Sequence, residues 1–216
     1  MFQAKQALFA VAISSLLAFS FSALGQTSSA NLVASALDHG DRPSGDAADD
    51  ARRMPLEVLA FAGIEAGVTI LELEAGTGYY TEILSRTVGP NGNVIMQNPP
   101  AFDGIFGEAV EQRLAENRLS NVNLSRTNFD ELSATDNSVD MVTWILGPHE
   151  LWYQPGENVS LGNPEESFEE IYRVLKPGGV FLAVDHIAED SAGTEVGGTL
   201  HRIGEGIVRD MAEAAG

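Results

Sequence analysis

Short apolar runs alternate with amphipathic segments along most of the chain. The runs are rich in β-branched and aliphatic residues and predict buried strands at 68–73, 93–96, 122–124, 139–146 and 180–185. Apolar residues at helical spacing predict helices at 56–62, 81–88, 108–118, 164–175 and 199–215. Strand–helix alternation with short connections indicates an α/β fold, with a Rossmann-like, doubly wound and mostly parallel sheet of five strands.

The first 25 residues have the order of a secretory signal. Lys5 precedes an apolar run from Ala7 to Leu24, and small residues occupy positions 23 and 25. This order predicts a signal peptide over 1–25, cleavage after Gly25 and an exported, periplasmic protein. An uncleaved membrane anchor stays an alternative, because the run is just long enough to span a bilayer. No second run of this kind follows, so we expect no stable membrane span after cleavage.

The segment after the signal differs in composition from the rest of the chain. The stretch from Asp38 to Asp50 is rich in aspartate, glycine, alanine and proline and has no apolar period. We therefore interpret residues 26–54 as a linker or N-terminal arm and residues 55–216 as one domain. Pro55 suits the first turn of that domain's first helix, where no backbone amide donor is needed.

Composition narrows the function. Twelve basic against thirty-one acidic residues give a formal net charge of −19, which disfavours nucleic acid as a partner. The absence of cysteine from the sequence excludes disulfides, thiol chemistry and cysteine-ligated metal. A small molecule is the expected partner, and the sequence does not define an oligomeric state.

The turn after the first strand carries the candidate chemistry. It runs Glu72-Leu73-Glu74-Ala75-Gly76-Thr77-Gly78. Ligands of doubly wound sheets bind beyond the carboxyl ends of the strands, and glycines there let a ligand approach the backbone. A dinucleotide-binding turn needs a third glycine at position 81, where this chain has Thr81. That difference favours a ligand without a pyrophosphate.

Three stretches in this order resemble the class I S-adenosylmethionine-dependent methyltransferases, and the resemblance extends from about Glu57 to the end. They are Glu72–Gly78, Asp136–Val142 and Val174–Val180. Two further segments make the chain most similar to an exported bacterial subgroup of that family. These are Gly-Tyr-Tyr-Thr at 78–81 and Gln-Asn-Pro-Pro at 97–100.

The resemblance implies S-adenosylmethionine as cofactor and methyl transfer to a small-molecule acceptor. Glu72 is expected near the methionine amino group, and Gly76 and Gly78 are expected to let the cofactor approach the backbone. Gln97 is closest to the position that binds the ribose hydroxyls. Asn128 is closest to the position that binds the adenine amino group.

Phe129 is expected beside the adenine ring. The chain departs from the family pattern at three other positions of the cofactor site. Glu74 stands where the family has its first glycine, and Gln97 and Asn128 replace acids. An amide lacks the charge of a carboxylate, which costs about 1–2 kcal/mol per lost charge-assisted bond. These departures leave open a degenerate, non-catalytic binding module, and an NAD(P)-dependent oxidoreductase is a weaker alternative.

The chain also ends early relative to the family. Its last predicted helix stops at Gly216, whereas the family continues into two more strands. The resemblance therefore implies a fold that lacks the last two strands, as in a C-terminally truncated product with an exposed sheet edge.

Histidines supply the candidate catalytic groups. His149 follows the fourth strand and His186 follows the fifth, so both are expected at the ligand-binding rim as substrate-orienting groups or a general base. A metal site could combine them with Glu150 and Asp185. These four residues lack the helical spacing of metal ligands, so we predict no metal. His201 is interpreted as a surface or capping residue.

Overall fold

The computed structural model describes residues 28–189 and 191–216. The predicted signal peptide at 1–25 lies outside the described residues and stays a prediction. The chain divides into two compact units, Met1–Glu65 and Ala66–Gly216. Among the described residues, none of the helices combines the length and the apolar character that crossing a lipid bilayer requires.

The first unit is helical where it is described. Residues 28–37 form helix α1, followed by α2 (Ser44–Ala47), α3 (Asp50–Arg53) and α4 (Pro55–Ala62). The stretch expected to be a linker therefore contains α2 and α3. Arg42 helps to stabilise this helical segment, because its guanidinium donates to both carboxylate oxygens of Asp50 at 2.7 and 2.5 Å. Pro55 opens α4 as predicted.

A five-stranded parallel sheet forms the centre of the second unit. Its strands are β1 (Thr69–Leu73), β2 (Asn93–Gln97), β3 (Val122–Ser125), β4 (Val139–Ile145) and β5 (Leu175–Val184), in the order β3-β2-β1-β4-β5. All four strand pairs are parallel. The prediction of a doubly wound α/β fold is confirmed. Strand order reverses at β1, which pairs with β2 on one side and β4 on the other, so the ligand-binding edge is expected there.

The helices of this unit are α5 (Tyr79–Val88), α6 (Asp103–Leu114), α7 (Pro164–Val174), α8 (Glu195–Leu200) and α9 (Glu205–Ala215). Short 3₁₀ turns occur at Pro100–Phe102, Ala115–Asn117 and Pro148–Trp152.

Two boundaries differ from the sequence prediction. The helix expected at 199–215 is broken between α8 and α9, because the backbone of Ile203 bonds instead to His186 and Ala188. Strand β5 begins at Leu175, which pairs with Val139 before a register shift in the ladder. The strand therefore begins five residues before its predicted start at position 180.

The core places an indole beneath the turn that follows β1. Trp144, near the end of β4, is completely buried and lies opposite Leu73 of β1. Its ring centroid is 4.6 Å from that of Phe129 and 6.4 Å from that of Phe168. The pairing of Leu73 with Trp144 places the carboxyl ends of β1 and β4 side by side.

Candidate functional site

The β1–α5 turn (residues 74–78) forms an open loop at the carboxyl end of β1. Gly76 and Gly78 take left-handed backbone angles, with φ of 57° and 84°. A side chain is strained in this conformation, which explains glycine at both places. None of the described residues places an atom within 4 Å of a Cβ built at Gly76, so that face of the turn is open to a ligand. The turn therefore offers the close backbone approach that the expected cofactor needs.

Gln97 and Asn98, at the end of β2, hold this turn in place. The Glu74 amide donates to Gln97 Oε1 at 2.9 Å, and the Gly76 amide donates to Asn98 Oδ1 at 2.8 Å. The amide nitrogens of both side chains are donors. Gln97 Nε2 donates to the Thr127 carbonyl at 2.6 Å, and Asn98 Nδ2 donates to the Gly76 carbonyl at 2.9 Å. Gln97 was expected to face the ribose hydroxyls. In the structure both ends of its buried amide bind the protein instead.

Glu72 is buried at the end of β1. Its Oε2 accepts a hydrogen bond from Thr81 Oγ1 at 2.5 Å. Burial raises the pKa of Glu72 to about 8, against the opposing effects of Thr81 and of the Arg113 charge. Thr81, which takes the place of a third glycine, therefore orients the carboxyl group expected near the cofactor.

Glu74 links the turn to the end of β4. Its backbone is left-handed, with φ of 51°, and its Oε2 accepts from the Trp144 indole N–H at 3.1 Å. Burial raises the pKa of Glu74 well above its usual value, and the nearby Glu150 charge adds to the rise. Gly147 lies against this pair, because a Cβ there would come within 1.9 Å of Trp144 Nε1. The Glu74 carboxyl group thus has a buried partner at the end of β4.

The two residues expected at the adenine follow β3. Asn128 is half-buried, and its carbonyl accepts from the Glu131 amide at 3.3 Å. Phe129 is completely buried and packs on Trp144 in the core. The structure thus assigns Phe129 a packing role.

His149 lies at the rim, in the 3₁₀ turn after β4, and is buried. Its Nδ1 is 2.8 and 2.9 Å from the two carboxylate oxygens of Asp185, and Oδ2 of Asp185 also accepts from the His149 backbone amide at 2.8 Å. Burial alone would lower the pKa of His149, but its hydrogen bonds to the Asp185 and Glu150 carboxylates outweigh it and raise the pKa to about 9. Without a ligand, this imidazole therefore carries a charge at neutral pH. It suits orienting an acceptor better than removing a proton.

His186 was expected at the rim and His201 at the surface, but it is His201 that lies beside His149. His186 is exposed, and its backbone amide donates to Asp185 Oδ1 at 2.7 Å. His201 Nδ1 instead lies 3.2 Å from His149 Nε2. Sequence reasoning missed His201 because the position lies inside a predicted helix, and the break that turns it toward the rim has no local signal.

Comparison with known proteins gives a consistent family match. The sequence model of the ubiE/COQ5 methyltransferase family matches residues 55–192. The ubiquinone/menaquinone biosynthesis C-methyltransferase UbiE of Hydrogenovibrio crunogenus is 31% identical over 127 residues, which are 59% of this chain and 45% of that protein. UbiE of Citrobacter koseri is 32% identical over 124 residues, 57% of this chain and 45% of that protein. The chain thus spans less than half the length of these curated relatives.

Solved structures show the same fold. A SAM dependent methyltransferase from Aquifex aeolicus superposes with a TM-score of 0.62 at 23% identity, covering 78% of this chain and 82% of that one. Phosphoethanolamine N-methyltransferase 2 of Haemonchus contortus, in complex with S-adenosyl-L-methionine, gives 0.59 at 17% identity, with 74% and 36% covered.

Proposed function

We propose that this chain, which belongs to the ubiE/COQ5 methyltransferase family, transfers a methyl group from S-adenosylmethionine to a small-molecule acceptor. The observation that carries the proposal is the glycine turn with its open face, located where the strand order reverses at β1. Ligands of such sheets bind at that point. The family match favours this function over a non-catalytic module or an oxidoreductase.

Charge at the turn favours a cationic ligand. Glu72 and Glu74 are buried beside it, and both have raised pKa values. A positively charged ligand favours the ionised form of such carboxyl groups, and the ionised groups stabilise the ligand in return. S-adenosylmethionine carries a sulfonium and an ammonium group, whereas the pyrophosphate of a dinucleotide offers these carboxyl groups no countercharge. Thr81 in place of the third glycine agrees with this preference.

Each group of the chain has a distinct part in the proposed reaction. When bound, the cofactor supplies an electrophilic methyl group. The backbone at Gly76 admits the cofactor, and Gln97 and Asn98 hold the turn in shape before it binds. His149, fixed by Asp185, would orient the acceptor, and orientation contributes much of the rate in such a displacement. The acceptor itself is not identified by these residues.

Calorimetry with S-adenosylhomocysteine tests the proposal. The purified chain is expected to bind it, and Gly76→Ala is expected to weaken binding about ten-fold, since the new methyl group takes the open face. Gly67→Ala is the matched control. Gly67 also has a left-handed φ, and no described residue lies within 4 Å of its Cβ position, but it is outside the turn. A folded chain that binds no ligand at millimolar concentration, or equal weakening by both variants, would contradict the proposal.

A further inference from the structure

We propose that His149, Glu150 and His201 form a binding site for a divalent transition-metal cation of the zinc class. Zinc is bound in proteins by imidazole nitrogens and carboxylate oxygens, the donors that these three residues offer. One donor atom from each lies within 4.8 Å of the others. We call this set the His–Glu–His cluster. A metal site is separate from the proposed methyl transfer, and metal binding can be measured without cofactor or acceptor.

The spacing of the donors matches tetrahedral coordination. His149 Nε2 is 3.2 Å from His201 Nδ1, and Glu150 Oε1 is 3.3 Å from the first nitrogen and 3.4 Å from the second. Zinc bonds of about 2.0–2.1 Å in a tetrahedron separate their ligand atoms by about 3.3–3.4 Å. The three donors thus form one face of a tetrahedron of the right size. Three protein ligands leave a fourth position for water or a substrate oxygen, as in catalytic zinc sites.

Glu150 gives an independent sign of a missing ligand. The residue is 8% exposed, and among the described residues its Oε2 atom has no hydrogen-bond partner. A buried polar atom without a partner costs free energy, so native proteins almost always satisfy such atoms. A cation held at Oε1 would bring a positive charge beside this carboxylate, and Oε2 gains the missing interaction if the carboxylate binds the cation through both oxygens.

Asp185 completes the arrangement behind the cluster. It bonds to Nδ1 of His149, which leaves Nε2 facing Glu150 and His201. Metal-binding histidines almost always donate their other nitrogen to a carboxylate, carbonyl or water in this way.

Two glycines of α8 bring the third ligand into place. A Cβ at Gly197 would lie 2.7 Å from the His149 carbonyl, and one at Gly198 would lie 2.4 Å from the Trp152 carbonyl. Helix α8 can therefore lie directly against the 3₁₀ turn after β4. His201 then ends α8 in a left-handed conformation, with a side chain that is 53% exposed. A cation can thus enter from the solvent side.

The sequence predicted no metal, and the structure shows why. The four residues considered included His186, which the structure leaves exposed. The residue that joins His149 and Glu150 is His201, separated from His149 by 52 positions.

Equilibrium dialysis of the metal-free chain against Zn²⁺ tests the proposal, with bound metal measured by mass spectrometry. We expect about one equivalent per chain. His201→Ala is expected to lose it, and the half-exposed position makes this variant safe for the fold. Asp185→Asn is expected to weaken affinity about 10–100-fold, since it disturbs the orientation of His149. His39→Ala, which removes an exposed histidine of the first unit, is the matched control and should bind like the wild type.

Co²⁺ provides a spectroscopic readout. Bound to the wild type, it should give the intense visible absorption of tetrahedral coordination, and His201→Ala should lack it. Zinc binding that is equal in the wild type and His201→Ala, or a folded wild type that retains no zinc, would overturn the proposal. All measurements are made without S-adenosylhomocysteine. Failure of cofactor binding would therefore leave the zinc result standing, and the reverse is also true.

Discussion

The Gln97 side chain holds the β1–α5 turn through both ends of its amide. Its oxygen accepts from the Glu74 amide and its nitrogen donates to the Thr127 carbonyl. A carboxylate has acceptors but no donor, so only an amide satisfies both partners. The amide at this position is therefore explained by the structure of the turn itself.

Gln97→Glu is expected to lower the free energy of unfolding by about 1–3 kcal/mol, because an unprotonated oxygen would face the Thr127 carbonyl in a buried place. Urea unfolding measures the change. Gln112→Glu, on the exposed face of α6, is the matched control and should change stability by less than about 0.5 kcal/mol. Equal stability of the Gln97→Glu variant and the wild type would show that the two hydrogen bonds do not hold the turn.

Helices α5 and α6 are joined through a single buried carboxylate. Glu82, in the first turn of α5, is completely buried. It accepts hydrogen bonds from Arg86 at 2.6 Å and from Arg118 at 2.5 Å, and Arg113 of α6 lies 3.4 Å away. Burial would raise the pKa of Glu82, but the guanidinium groups of Arg118 and Arg86 hold it below its usual range. Arg113 also donates to the Thr77 carbonyl at 3.1 Å, so the cluster supports the β1–α5 turn.

Glu82→Gln should destabilise the chain by about 3 kcal/mol, because it removes the buried carboxylate charge that the partly buried guanidinium groups of Arg86 and Arg118 contact. Thermal and urea unfolding measure the loss. Glu111→Gln removes the same charge from the exposed surface of α6 and serves as the control, with little change expected. A loss no larger than the control's would mean that the cluster contributes little to stability.

The elements that were predicted correctly have local signals. The apolar runs of β1 to β5 and the glycines of the β1–α5 turn are visible in the sequence, because burial and left-handed backbone each select residue types directly. The break between α8 and α9 has no such signal, since it depends on the pairing of Ile203 with a distant segment. The helices at 44–53 were missed for a similar reason. The ion pair between Arg42 and Asp50 stabilises this segment, but neither residue predicts a helix by itself.

The candidate site was predicted in part for the same reasons. The location of Glu72, Gly76 and Gly78 at the carboxyl end of β1 follows from strand position alone. The use of Gln97 within the protein and the approach of His201 to His149 depend on contacts between separate elements. A single sequence does not show such contacts, so the roles of these side chains could not be predicted from it.

At the scale of the whole molecule, buried carboxyl groups make the stability of this acidic chain depend on pH. The chain has a formal net charge of −19, and Glu72 and Glu74 lie in the interior of the second unit with raised pKa values. A group whose pKa is higher in the folded than in the unfolded state holds a proton that unfolding releases. Raising the pH therefore reduces the stability of the folded state.

For Glu72 this effect has a defined pH range. Its pKa is about 8 in the folded chain against 4.5 without the fold, so its stabilising contribution is complete below 4.5 and is lost as the pH rises to about 8. Glu72→Gln keeps the shape of the protonated group and does not titrate. The difference in unfolding free energy between about pH 5 and pH 8 should therefore be smaller in this variant than in the wild type, and Glu74 accounts for part of what remains. Urea unfolding at the two pH values measures it, with Glu111→Gln expected to keep the wild-type difference. An unchanged difference in Glu72→Gln would mean that Glu72 is ionised in the folded chain, and that its burial is compensated by more than Thr81 and Arg113.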